Sequence, residues 1–188
     1  MYKIDVSLGD NSYDIFIKKG IFQSIAEHIF RVDKYSKIFI ISQKSIIDIY
    51  NPHFLLAEDI LCIEENEAGK TLNEAHRIIK VLIEKGCNRS SLIIGLGGGV
   101  VTDFTGFISS IFMRGIDHIL IPTSLLAMVD ASIGGKTALN TSDSKNTIGT
   151  IKQPKAVYID PLLLKTLPVK EVINGFAEML KYGLINDK

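Results

Sequence analysis

Tyr2, Ile4, Val6 and Leu8 alternate with polar residues, Gly9-Asp10-Asn11-Ser12 supplies turn chemistry, and Tyr13, Ile15 and Ile17 alternate again. A period of two on both sides of a turn predicts a β-hairpin. The period then lengthens. Ile21, Ile25, Ile29 and Phe30 recur at helical spacing, and Lys37 to Ile41 reads as a short buried strand. The same rhythm predicts a helix over Ser45 to Tyr50, a strand over Ile60 to Ile63, and a helix over Leu72 to Lys85. That last helix carries Ala75, Ile78, Ile79, Leu82 and Ile83 on one face, and Gly86 is its stop. A strand over 92–96, a helix ending at Phe112, and strands at Ile119 to Ile121 and Ala156 to Ile159 follow. Strands alternating with helices predict an α/β fold, a Rossmann-like and mostly parallel sheet with ligands at the carboxyl ends of its strands.

After Pro161 the pattern changes. Leu162, Leu163, Leu164 and Leu167 lead to Pro168, and a long helix opens at Val169 with Val172, Phe176, Met179, Leu180 and Leu184 along it. A helix with so apolar a face needs a partner, so the chain reads as truncated. The expected division is an α/β domain over 1–160 and, over 161–188, the first helix of a truncated helical domain.

The centre of the chain is Leu92-Ile93-Ile94-Gly95-Leu96-Gly97-Gly98-Gly99-Val100-Val101-Thr102-Asp103. An apolar run that stops at glycines and resumes as Val100, Phe104, Phe107, Ile108 and Ile111 predicts strand, tight turn and helix. Without Cβ atoms the backbone can approach a pyrophosphate, and the free N–H groups of the new helix point at the anion. The dinucleotide fingerprint is nevertheless incomplete, because Val100 stands where a third glycine belongs. A tight turn without a ligand stays open at this point.

Composition narrows the field. Of 188 residues, 21 are basic and 21 acidic, which removes the basic field that nucleic-acid binding requires. No apolar run reaches membrane-spanning length, and Asp5 spoils a signal-peptide reading, so a cytoplasmic protein with no membrane partner is expected. Cys62 and Cys87 have neither metal-type nor redox-type spacing and read as buried thiols.

Downstream of the glycines, polar residues crowd into turn-like segments. Pro122-Thr123-Ser124 ends a strand, and Asp130-Ala131-Ser132-Ile133-Gly134-Gly135-Lys136-Thr137 and Ser144-Lys145-Asn146-Thr147-Ile148-Gly149 read as loops. Lys136, Lys145 and Asn146, with Arg114 before Gly115, are donors suited to a second phosphate. A lone loop lysine is ordinarily solvated, and only their joint occurrence behind the glycine turn favours a site. Glu178 and Lys181 lie three apart on one helix face. They form either a surface ion pair or a metal ligand with a cationic neighbour; one carboxylate does not make a zinc site. His28, His53, His76 and His118 show no ligand spacing.

Gly97-Gly98-Gly99-Val100-Val101-Thr102-Asp103, Met113-Arg114-Gly115, the Asp130 to Thr137 stretch, Lys145-Asn146-Thr147-Ile148-Gly149, Gln153-Pro154 and Ala177-Glu178-Met179-Leu180-Lys181 together resemble the 3-dehydroquinate synthase family. The resemblance covers the N-terminal nucleotide-binding half of such an enzyme and the start of its helical domain. It implies a homodimeric lyase of the shikimate route to aromatic amino acids, converting 3-deoxy-D-arabino-heptulosonate 7-phosphate to 3-dehydroquinate and phosphate. NAD would be used and regenerated beside zinc, with cobalt as an alternative metal. It implies metal binding by Glu178, with Lys181 beside the substrate, Lys136 and Asn146 on its phosphate side, Asp130 in the active site and Arg114 offered to the partner subunit. NAD would lie against Gly98, Gly99, Val100, Asp103, Thr123, Ser124, Lys145, Thr166, Glu67 and Lys70, with Ser42 near the adenosine.

Thr102, Ser124, Ala131 and Ser144 depart from the family pattern, and a β-branched Thr102 would tighten the turn or narrow the pocket. Other readings are a different sugar-phosphate cyclase, a metal-dependent glycerol or alcohol dehydrogenase, or a non-catalytic nucleotide-binding piece. For the isolated stretch, nucleotide binding without turnover is expected.

Overall fold

The computed structural model describes residues 1–29, 35–52 and 57–185; Phe30 and His53, singled out above, lie outside them. Strands β1 (Tyr2–Val6) and β2 (Tyr13–Ile17) form the predicted antiparallel hairpin, with Tyr2 opposite Ile17 and Val6 opposite Tyr13. Helix α1 (Ile21–Ile29), β3 (Ile38–Gln43), α2 (Lys44–Tyr50), β4 (Asp59–Ile63), α3 (Leu72–Glu84), β5 (Leu92–Gly97), α4 (Gly99–Ile111) and β6 (Asp117–Pro122) then alternate. Two short strands, β7 (Lys136–Leu139) and β8 (Ile148–Ile151), precede β9 (Ala156–Ile159) and α5 (Val169–Ile185). The main sheet has seven strands in the order β1-β2-β9-β6-β5-β3-β4, parallel throughout except at β1.

β3 and β5 are buried at every position, as a parallel strand covered on both faces must be. One face packs Ile40, Ile94, Ile119 and Val157 against Ile21 and Ile25; the other packs Phe39, Ile41 and Ile93 against Ile78, Leu82, Phe104 and Ile108. α3 starts on a cap, Thr71 Oγ1 accepting from Glu74 N at 3.2 Å. It ends where Gly86 adopts φ +71° and the amides of Gly86 and Cys87 bond back to Ile83 and Leu82. This paired closure is the stop that the glycine predicted.

The structure corrects two loop assignments. Lys136 and Thr137, and Ile148 and Gly149, read as the ends of two loops, belong instead to a two-stranded antiparallel sheet over 136–139 and 148–151, with Lys136 opposite Ile151 and Leu139 opposite Ile148. Leu139 is fully buried in the α4 core, and Thr137 Oγ1 donates to Thr150 O at 3.0 Å. Asp130 likewise lies in a π-type helical turn over Ala127–Ala131, outside any loop. Cys87 is buried as expected, but Cys62, on edge strand β4, is only partly so. α5 docks through Gly175, where a Cβ would come within 2.6 Å of Leu125. Its Ile173, Phe176, Leu180 and Leu184 are exposed. Among the described residues no helix is long and apolar enough to cross a membrane.

Candidate functional site

The glycine turn divides into two kinds of glycine. A Cβ at Gly95 would lie 2.7 Å from Thr105 Oγ1, and one at Gly97 would lie 2.5 Å from Val101 Cγ2. These two are required by packing. A Cβ at Gly98 would meet nothing nearer than Ser124 Oγ at 3.4 Å, and one at Gly99 nothing nearer than Ala131 Cβ at 3.5 Å. Neither has a positive φ, so neither fold nor backbone conformation demands glycine at 98 or 99. What their bareness provides is an open floor at the amino end of α4, where a pyrophosphate would sit against free N–H groups. The residues therefore fit a dinucleotide. Val100 is half-buried against the α4 core, and Thr123 N donates to Gly97 O at 2.9 Å, clamping the end of β6 to the turn. Thr102 is buried, its Oγ1 donates to Gly99 O at 3.0 Å, and it is not among the residues that line the cleft described next.

A cleft of about 510 Å³ opens beside this floor, lined among others by Asp103, Asp130, Lys136 and Asn146. Lys70, 4% exposed, ion-pairs Asp103 and donates to Asn146 Oδ1 at 2.5 Å. Burial raises the Asp103 carboxyl above its ordinary value, with Lys70 pulling against that shift. Around this pair the chain closes on itself. Asn140 Nδ2 donates to Glu67 Oε2 at 2.6 Å, Asn140 Oδ1 accepts from Asn146 N at 2.9 Å, and Lys145 Nζ lies 3.8 Å from Glu67. Residues flagged at 67, 70, 103, 145 and 146 thus meet around a cleft that also takes in Lys136 and Asp130. Ser124 Oγ accepts from Ala127 N at 3.3 Å and starts the helical turn that carries Asp130.

α5 adds Glu178 and Lys181, which ion-pair with each other. That contact raises the Lys181 ammonium above its usual range. Tyr182 follows, its hydroxyl donating to Asp130 Oδ1 at 2.5 Å, which holds the phenol protonated to higher pH. Among the described residues no group of three His, Cys, Asp or Glu side chains could hold a metal ion, so Glu178 is at most one ligand.

Three flagged residues lie elsewhere. Arg114 sits at the opposite end of α4 in a turn where Met113, Arg114 and Gly115 all have positive φ (50°, 68° and 114°), exposed and outside the cleft lining. Thr166 contacts Tyr50 Oη and donates to Leu163 O at 3.1 Å, away from the cleft. Ser42 is wholly buried and donates to Leu96 O at 2.7 Å, which corrects its reading as an adenosine contact: the hydroxyl is committed to holding β3 against β5. Asn140 and Tyr182 went unflagged. Each is a single polar residue in an ordinary setting, with no spacing that announces its distant partner.

A family model described as 3-dehydroquinate synthase N-terminal matches residues 60–174. A 3-dehydroquinate synthase of Prochlorococcus marinus (strain MIT 9515) is 44% identical over 195 residues, covering 99% of this chain and 54% of that relative. Among solved structures, 2-deoxy-scyllo-inosose synthase complexed with carbaglucose-6-phosphate, NAD+ and Co2+ superposes with a TM-score of 0.88 at 26% identity, covering 100% of this chain and 54% of that one. ValA, the 2-epi-5-epi-valiolone synthase from Streptomyces hygroscopicus subsp. jinggangensis 5008 with NAD+ and Zn2+ bound, gives 0.80 at 28%, covering 94% and 50%. The chain spans about half the length of the curated relatives it matches.

Proposed function

The chain belongs to the 3-dehydroquinate synthase family, and we propose that the protein it forms part of converts 3-deoxy-D-arabino-heptulosonate 7-phosphate to 3-dehydroquinate and phosphate, with NAD used and returned. The observation that carries this is the Lys70 ammonium. It joins Asp103, at the open glycine floor, to Asn146, on the loop reserved for a second phosphate, within one cleft. A cofactor site and a phosphate site so joined suit an enzyme that oxidises a sugar phosphate while holding its leaving group.

In this reading Gly98, Gly99 and Val100 pass beneath the pyrophosphate, with Thr123, Ser124, Lys145, Glu67 and Lys70 at the cofactor's flanks and Thr166 farther along. When held there, NAD would supply reversible hydride chemistry to the substrate. Lys136 and Asn146 orient the phosphate through charge-assisted hydrogen bonds. Asp130 has one oxygen bound by Tyr182 and the other available to a substrate hydroxyl, and Lys181 balances the charge beside it. Glu178 would contribute one carboxylate to a divalent metal, whose remaining ligands lie beyond the described residues. Arg114, at the far end of α4, would reach a partner subunit of a cytoplasmic homodimer.

Another sugar-phosphate cyclase is the second reading, favoured by the likeness to 2-deoxy-scyllo-inosose synthase; 44% against 26% identity ranks it lower. The test is product analysis with the full-length protein, the heptulosonate phosphate and substoichiometric NAD. Dehydroquinate and phosphate should form with no accumulated NADH. Stoichiometric NADH would indicate a dehydrogenase, and turnover confined to sugar phosphates without a carboxylate would indicate the other cyclase.

A further inference from the structure

Asn140 closes a ring of three hydrogen bonds. Its own N–H donates to Lys70 O at 2.7 Å, Lys70 Nζ donates to Asn146 Oδ1 at 2.5 Å, and Asn146 N donates back to Asn140 Oδ1 at 2.9 Å. The fourth arm is Asn140 Nδ2, which donates to Glu67 Oε2 at 2.6 Å. A parallel bridge between Thr71 and Asn140 fixes the register.

The amide cannot be turned round in this setting. Glu67 offers only acceptors and the Asn146 amide offers only a donor, so the oxygen must face Asn146 and the nitrogen must face Glu67. Aspartate would keep the first bond and lose the second, placing two carboxylates against each other. No other side chain of this size supplies one donor and one acceptor in a plane. Asn146 moreover holds φ +56°, a left-handed conformation that its neighbours must sustain.

We propose that Asn140 is a positioning residue that locks the turn carrying Glu67 and Lys70 to the loop carrying Lys145 and Asn146, so that the cofactor side and the phosphate side of the cleft are ordered together. It is not among the residues that line the cleft. It sits at the carboxyl end of β7, directly after Leu139, whose burial under α4 anchors that end to the core. The inference rests on the reading of this cleft as a site for NAD and a phosphorylated substrate. On that reading, a ligand that orders one side lowers the conformational cost of binding at the other, and the coupling runs through the Asn140 amide.

The experiment is a double-mutant cycle on NAD affinity in the full-length protein, with Asn140→Asp, Glu67→Gln and the pair, each measured with and without saturating inorganic phosphate. Asn140→Asp alone should weaken NAD about tenfold and abolish any tightening by phosphate. In the Glu67→Gln background, where the glutamine amide can donate to the new carboxylate, the same change should alter affinity less than about threefold. Thermal midpoints of all four proteins identify any loss that is merely unfolding. An equal loss in both backgrounds, or no loss in either, overturns the inference. Absence of NAD binding by the unmutated protein would overturn the proposed function and this inference with it.

Discussion

Tyr182 donates its hydroxyl to Asp130 Oδ1 over 2.5 Å, joining α5 to the turn that carries the aspartate across 52 residues of sequence. One carboxylate oxygen is thereby held and the other left to the cleft. Removing the hydroxyl with Tyr182→Phe keeps the ring and its packing but frees Asp130 to rotate. Turnover of the full-length protein should fall about tenfold, while the thermal midpoint of this exposed pair moves little. Steady-state kinetics beside a melting curve measure both, and unchanged turnover would remove Asp130 orientation from the account.

The two kinds of glycine predict opposite outcomes one residue apart. Gly97→Ala drives a methyl to 2.5 Å from Val101 Cγ2 and should destabilise the fold by about 1–3 kcal/mol in urea titrations. Gly98→Ala meets only ordinary contacts and should leave stability unchanged while weakening NAD. Calorimetric titration with NAD on both variants distinguishes packing from cofactor approach. Equal NAD affinity in Gly98→Ala and the parent would place the cofactor elsewhere.

Lys70→Met leaves the Asp103 carboxylate in its pocket without a counter-charge. Loss of one member of a buried pair should cost about 3 kcal/mol at neutral pH. Burial already raises Asp103, and without Lys70 opposing it the carboxyl rises further. The folded state then holds a proton that the unfolded state releases, so the deficit relative to the parent should shrink as pH falls below that raised pKa. Denaturant unfolding of both proteins at neutral and mildly acidic pH tests this, and a pH-independent deficit would count against it.

His118, buried on β6 with no hydrogen-bond partner for Nδ1 among the described residues, has its pKa pushed down to about 3 by burial and, secondarily, by the charge of Lys152. The unfolded imidazole takes its proton near the ordinary 6.5, the folded one only near 3. Stability should therefore decline as pH drops through that interval. His118→Leu should flatten this acid limb and leave the neutral-pH midpoint equal or higher, since no hydrogen bond of the ring nitrogen Nδ1 is lost. Thermal melts at pH 7 and pH 5 decide it.

The main sheet was legible because its strands are near-continuous apolar runs between helices of clear period, and Gly86 ended α3 where a left-handed residue was needed. The β7–β8 pair was not. Four residues opening on Lys136 and flanked by Gly134 and Gly135 carry too little alternation; what makes them strands is Leu139 reaching the α4 core and the Thr137–Thr150 contact. In the candidate site, the charged residues stood out through motif and chemistry. Asn140 and Tyr182 did not, because their partners lie 73 and 52 residues away and nothing local marks a tertiary hydrogen bond. Ser42 was misread for the opposite reason: a polar residue at a strand end suggests a ligand, whereas here it satisfies a buried carbonyl.

The strand order also sets a timetable. Among the described residues the β1–β2 hairpin meets the rest of the sheet only through β9, which pairs with β2 on one side and β6 on the other. Gly20 and Phe22, just past the hairpin, give their amides to the Asp160 carboxylate, 140 and 138 residues downstream. On a ribosome adding about 5–20 residues per second, the hairpin waits roughly 7 to 28 seconds for its neighbour to be made. Until then β2 presents an unpaired edge, and the loop to be closed spans about 140 residues, a non-local pairing of the kind that forms slowly.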